Sequence, residues 1–346
     1  MDNKYILVAR TLEELERFMV ENNQSKYRAK QVYNRLYLRS AKDIDSMTDL
    51  PAATRELLKE KTDLCSISIK DKQISKDGTM KFLFELKDGN FAEAVLMRFD
   101  NRANLTACIS TQAGCPMGCS FCATAKLGFT RNLDVEEIVQ QIFLIQSDTG
   151  LKVTNIVYMG QGEPLLNFDN LLGSIKIFRE QFQIGARRIT VSTCGIIPKI
   201  NELADLNFQS TLAISLHAPN QKKRQEIMPV SLKYKFDDLI AALKKYTEKT
   251  GRRITVEYVL MKGINDSVED AKQLAMAISK LKSNVNLIIY NQNEKSPYKK
   301  PNKDAVQKFK YILEASGKKV TIRLERGSDI DAACGQLSAK ISRKNI

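Results

Sequence analysis

Apolar positions recur at helical spacing over the first sixty residues. In "TLEELERFMVEN", Leu12, Leu15 and Phe18 share one face, Thr11 stands where an N-cap belongs, and Glu14 follows it by three residues. "KYRAKQVYNRLYLR" predicts a second helix with a basic face. "TDLPAATRELLKEK" predicts a third, with Pro51 near its first turn. Near Cys65 the period changes to two. "CSISIKDKQISKDGTMKFLFELKDGNFAEAVLMRF" alternates polar and apolar residues, and Asp77-Gly78 and Asp88-Gly89 are hairpin signals. A small antiparallel β segment is therefore expected over residues 65–104, following a helical segment over 1–64.

From Leu105 onward, short apolar runs alternate with amphipathic helices. "TNIVYMG", "RRITVSTCG", "STLAISLH", "RRITVEYVLM", "VNLIIYN" and "KKVTIRL" are strand-like, and "DVEEIVQQIFLIQSD" opens with Asp134 and Glu137 spaced as a capping box. This βα alternation predicts an α/β unit over 105–340, a parallel sheet covered by helices, open or closed into a barrel. Ligands in such folds sit at the C-terminal ends of the strands. That rule directs attention to Gly160–Glu163, Ser192–Gly195, Ser215–His217 and Asn291. The last residues, 341–346, form a basic tail.

Composition narrows the chemistry. No apolar run approaches the roughly 18 residues of a membrane span, and the N-terminus reads as neither signal nor transit peptide. A soluble, cytoplasmic protein without a membrane partner is expected. The 54 Lys and Arg against 40 Asp and Glu give +14, which suits either a solvated surface or a polyanionic partner such as nucleic acid. In the second helix, Lys26, Arg28, Lys30, Arg35 and Arg39 are candidates for backbone contact with that partner. The single histidine, His217, rules out a site built mainly from histidines.

Seven cysteines in a chain without a secretion signal argue against a disulfide framework. Three of them, Cys115, Cys119 and Cys122, fall in "GCPMGCSFCATAKLGF". Thiolates suit zinc or iron–sulfur clusters. Zinc would need a fourth ligand, for which Cys108, Cys334 or His217 is available. A four-iron cube held by three cysteines instead keeps one iron open.

The CxxxCxxC spacing resembles the signature of the radical S-adenosylmethionine (SAM) superfamily, with Phe121 before the last cysteine and "NLTACIST" as the preceding strand. "CSFCATAKLGFTRNL", "YMGQGEPLLN", "VSTCGIIP", "LAISLHAPN" and "GSDIDAACGQL", in this order, are similar to the RlmN/Cfr family of adenosine methyltransferases over nearly the whole chain. The resemblance implies a partial (open) βα barrel of the radical SAM type with an N-terminal helical, RNA-binding accessory domain and a small antiparallel β segment. It implies one [4Fe-4S] cluster on Cys115, Cys119 and Cys122, with SAM on the open iron. It places Gly162 and Glu163 at the amino end of SAM, Ser192, Ser215, Leu216, His217 and Asn291 along it, and Met159 beside the radical site.

It also implies a reaction. Cys334 is the position of the methyl-carrying cysteine, Cys108 that of its redox partner, and Glu93 that of a proton acceptor. The C2 carbon of adenine is electron-poor and cannot attack a SAM methyl group directly. The family uses two SAM molecules per turnover. Cys334 takes a methyl group from one, and a radical made from the other activates that methyl for addition to the base. Cys108, or else Glu93, removes a proton, a Cys108–Cys334 disulfide forms, and a dithiol reductant resets the pair. The implied partners are 23S rRNA and tRNA, with a flavodoxin or ferredoxin as electron donor and a monomeric enzyme. "GEPLLN" resembles the C2-modifying RlmN type more than the C8-modifying Cfr type. Gln161 departs from the methionine usual in that motif. A non-enzymatic metal-cluster RNA-binding protein is the remaining alternative, and Cys65 and Cys194 receive no role.

Overall fold

The computed structural model describes residues 4–98, 104–291, 296–323 and 325–338. The tail 341–346 lies outside the described residues.

The predicted local signals appear where the sequence placed them. Helix Leu12–Glu21 starts on a Thr11/Glu14 capping box, and helix Val135–Thr149 on an Asp134/Glu137 one. Helix Lys26–Tyr37 follows, and helix Ala52–Lys61 begins directly after Pro51. Gly78 and Gly89 close their hairpins at φ +79°, a conformation that Gly adopts without strain.

Among the described residues the main sheet holds β1 (Ser68–Ile74), β2 (Met80–Glu85), β3 (Phe91–Arg98), β4 (Leu105–Cys108), β5 (Asn155–Tyr158), β6 (Ile189–Thr193), β7 (Thr211–Ser215), β8 (Ile254–Leu260), β9 (Ser283–Ile289) and β10 (Lys319–Arg323), while Tyr5–Ile6 pairs with Thr62–Asp63 and Gln112–Gly114 with Phe129–Asn132 outside it. Their spatial order follows the chain from β1 at one edge to β10 at the other. The strands β4 to β10 run parallel, as βα alternation demands, and β1 to β4 are antiparallel. This is the open βα barrel expected. The antiparallel strands are its continuation, because β3 pairs directly with β4, setting Val95 opposite Cys108.

Helix Val135–Thr149 joins the N-terminal helices to the barrel. Its Glu136 pairs with Arg10 at 2.5 Å. Gln140 Oε1 accepts from the Ser66 and Ile67 amides, and Gln146 donates to Ser40. These partners explain why polar residues lie buried on a helix. Tyr37 packs edge-on against Phe182 at 5.2 Å, so one apolar core runs through both parts.

Candidate active site

The ends of the parallel strands surround a cleft with about 970 Å³ of space free of protein atoms, counted to its solvent-open mouth. Cys115, Cys119 and Cys122 line it, together with Met159, Gly162, Glu163, Ser192, Ser215, His217, Asn291 and Cys334. A contiguous cavity shares Cys122, Met159, Asn291 and Cys334 and adds Cys108. Two residues stand apart. Leu216 is buried in the core, and Glu93 is buried behind the cleft, 3.6 Å from Lys81 Nζ.

The cysteine loop is clamped from three directions. The Cys115 amide donates to Gly128 O at 2.8 Å, the Ser120 amide to Ile227 O at 3.0 Å, and the Ala123 amide to Gly335 O at 2.7 Å. Gly114 at φ +77° is required here, since any Cβ would collide with the Gly128 carbonyl. The third clamp joins residues more than two hundred positions apart and sets Cys334 beside Cys122. Thr124 Oγ1 reinforces it by donating to Leu337 O at 2.9 Å. Cys108 packs with Val95, Met97, Ala332 and Leu337 in a small apolar cluster under the Cys334 loop. All seven cysteines are free thiols. Burial pushes Cys108 and Cys115 up to about 12, and Cys119 and Cys194 in the same direction.

Glu163 is held by its surroundings. Oε2 accepts the Cys194 amide at 2.7 Å and Oε1 the Leu165 amide at 3.0 Å. Burial raises its pKa, while the Cys194 and Leu165 amides act to lower it. Gly162 adopts φ +103°, and a Cβ there would stand 2.7 Å from the Gln112 side chain. Gln112 Oε1 accepts the Glu163 amide at 2.9 Å, which fixes this turn. Gln161, the departure noted in the motif, is a strut. Its side-chain Oε1 accepts the Glu93 amide at 3.2 Å, and its backbone oxygen accepts the Thr111 amide at 2.9 Å. Neither Gln112 nor Glu257, another cleft residue, stands in a motif that sequence reading could single out.

His217 adopts φ +55°, and its Nδ1 accepts the Val259 amide at 3.1 Å, leaving the proton on Nε2. Burial, aided by the Arg224 charge, lowers its pKa to about 3. The folded imidazole therefore stays neutral while the unfolded one protonates near 6.5. Stability should fall as pH drops below that value, by up to about 1.4 kcal/mol per pH unit, until the folded ring also protonates. As His217 is the only histidine, one NMR titration checks this. A folded-state midpoint near the ordinary value contradicts the buried, neutral ring.

Among the described residues no three His, Cys, Asp or Glu side chains converge as a single metal ion requires. Three thiols instead line a cleft that also holds buried polar atoms without partners, Asn291 Oδ1 and Glu257 Oε2. Such atoms suit a polar ligand seated above the cysteines.

Comparison with known proteins agrees. The Radical SAM superfamily matches residues 109–275, and the ribosomal RNA large subunit methyltransferase N-terminal domain matches residues 7–64. A protein of Alkaliphilus oremlandii described as "Probable dual-specificity RNA methyltransferase RlmN" is 45% identical over 340 residues, covering 97% of this chain and 98% of its own. The chain belongs to the RlmN family of radical SAM RNA methyltransferases. An RlmN relative from Thermotoga neapolitana is 46% identical over 318 residues, with 91% and 92% of the two chains covered. The crystal structure of a radical SAM methyltransferase from Sphaerobacter thermophilus superposes with a TM-score of 0.90 at 41% identity, covering 97% of this chain and 99% of that one. Among the described residues, no helix is long and apolar enough to cross a membrane.

Proposed function

We propose that this enzyme methylates C2 of adenosine in 23S rRNA, in the peptidyl-transferase centre, and in tRNA beside the anticodon, with Cys334 as methyl carrier. The observation that carries the reading is the Ala123–Gly335 hydrogen bond, which seats the Cys334 loop on the cysteine loop. A carrier thiol and a three-cysteine cluster site then share one cleft.

Cys115, Cys119 and Cys122 would hold a [4Fe-4S] cluster, and the Gly162–Glu163 turn would accept the SAM ammonium, its carboxylate already oriented by two amides. When bound, the cluster and SAM supply the one-electron chemistry that an electron-poor carbon needs. Ser192, Ser215, His217 and Asn291 orient SAM along the strand ends. Cys334 Sγ carries the methyl group, one SAM being used to load it and a second to activate it. Cys108 Sγ, in the adjoining cavity, would take the proton from the base and then bond to Cys334 Sγ as the sulfur–carbon bond to the base breaks, which releases the methylated base and leaves a transient disulfide. Glu93 is the less direct acceptor, because Lys81 and Gln161 already engage it away from the cleft.

The base must leave its stack to enter the cleft. The basic helix Lys26–Tyr37 is a surface for the RNA backbone. Arg35 is already tied to Asp49 at 2.7 Å, Arg28 to Gln31, and Lys26 lies 4.0 Å from Glu16, so the exposed Lys30 and Arg39 are the freer contacts. Turnover calls for an electron donor of the flavodoxin or ferredoxin class and a dithiol reductant. These RNA substrates belong to the cytoplasm, and the enzyme acts there as a monomer.

The test is mass spectrometry of nucleosides from unmodified 23S rRNA and tRNA, each incubated with the anaerobically reconstituted enzyme. We expect 2-methyladenosine in both. 8-Methyladenosine overturns the C2 assignment, and no methyladenosine in either RNA overturns the function.

A further inference from the structure

Arg224, in the helix Gln221–Ile227, is completely buried. Its guanidinium donates to Leu216 O at 3.2 Å, Ser231 Oγ at 3.0 Å, Cys194 O at 2.5 Å and Ser215 O at 3.3 Å. All four acceptors are neutral. Among the described residues no carboxylate pairs with it. A guanidinium withdrawn from water without an anion is strongly unfavourable, so a missing anion is implied.

The surroundings indicate which anion. The helix runs straight into the support of the cysteine loop, since Ile227 O accepts the Ser120 amide and Met228 lines the cleft. Pro229 Cγ stands 3.6 Å from where a Cβ on Gly118 would be. The nearest acid by connection is Glu163, reached across the Cys194 peptide, whose N–H serves Glu163 and whose C=O serves Arg224. Glu163 itself accepts the Cys194 and Leu165 amides and, among the described residues, forms no ion pair with Arg224. Arg224 lies within one turn of Ile227, whose carbonyl holds the Ser120 amide next to Cys119.

We propose that Arg224 is the buried counter-charge of the cluster on Cys115, Cys119 and Cys122, and that it raises the cluster's reduction potential. This rests on the cluster reading. An oxidised four-iron cube with three thiolates carries one net negative charge, and one electron from an external donor makes it two. A fixed cation buried in the helix that supports the cysteine loop would stabilise the second state more than the first. Arg224 is thus a positioning and tuning residue, without contact to the RNA.

The experiment compares wild type, Arg224→Gln and Arg224→Lys after anaerobic reconstitution. Iron and sulfide are measured first. Redox titration with dithionite and mediators, followed by electron paramagnetic resonance and without SAM, comes next. The glutamine variant should be disfavoured in reduction at least tenfold, about 59 mV more negative for a one-electron couple, with the lysine variant near wild type. A wild-type potential in the glutamine variant overturns the proposal. So does a difference that appears only after SAM is added, which would make the SAM carboxylate the partner. Should the glutamine variant hold no iron, the lysine variant decides. Wild-type iron content and potential there support a role for charge, whereas loss of the cluster there shows that the hydrogen bonds alone matter and overturns it. A wild type that binds neither iron nor sulfide rejects the cluster reading itself.

Discussion

Cys334→Ala should leave an enzyme that binds its cluster and still cleaves SAM reductively, yet methylates RNA at least about a thousand-fold more slowly. Among the described residues the Cys334 thiol makes no hydrogen bond. Its loop is held by backbone groups of neighbouring residues, Gly335 O to Ala123 and Leu337 O to Thr124. Alanine removes one sulfur from a cleft-lining position and keeps those bonds. Iron content, methionine release from SAM and 2-methyladenosine are measured on one preparation. Loss of the third with retention of the first two is the expected pattern. RNA methylation at the wild-type rate would remove Cys334 from the reaction.

Cys119→Ala should lower bound iron and sulfide to background and abolish both SAM cleavage and RNA methylation. Under the proposed ligand set the cube would be gripped at three corners with its remaining iron left for SAM, so the loss of one ligand should not be tolerated. The apo fold should survive, since the loop is anchored through the amides of Cys115, Ser120 and Ala123 rather than through the thiols. Cys65→Ala is the matched control, as that thiol does not line the cleft. A Cys119→Ala protein that keeps its full iron content would contradict the ligand set.

The elements legible in the sequence were those with local causes. The Thr11/Glu14 and Asp134/Glu137 capping boxes act within one turn of helix, and the Asp77-Gly78 and Asp88-Gly89 hairpins need only a glycine at positive φ. The strand-end positions Gly162, Glu163, Ser192, Ser215 and His217 line the cleft because parallel βα units direct the C-terminal ends of their strands to one side. Other features have no local signature. The approach of Cys334 to Cys122 is set by a tertiary hydrogen bond; residue spacing offered Cys334 only as one of three possible fourth ligands, and the family resemblance singled it out. The junction of β3 and β4 makes the antiparallel segment part of the barrel sheet, which alternation alone cannot reveal. Gln112 and Gln161 look like ordinary polar residues until the turn they brace is seen. Arg224 sits in "QKKRQEI", where a charge run normally reads as a solvated face, and only the packed structure shows it buried.

The most direct test of the central claim is the mass of the peptide that carries Cys334. Wild-type enzyme is reconstituted anaerobically, supplied with SAM bearing a heavy-isotope methyl group, digested and sequenced by tandem mass spectrometry. The account predicts one labelled methyl group on Cys334 Sγ, which disappears from the protein and reappears on adenosine when RNA and an electron donor are added. Labelled adenosine formed without any label passing through Cys334 would contradict it.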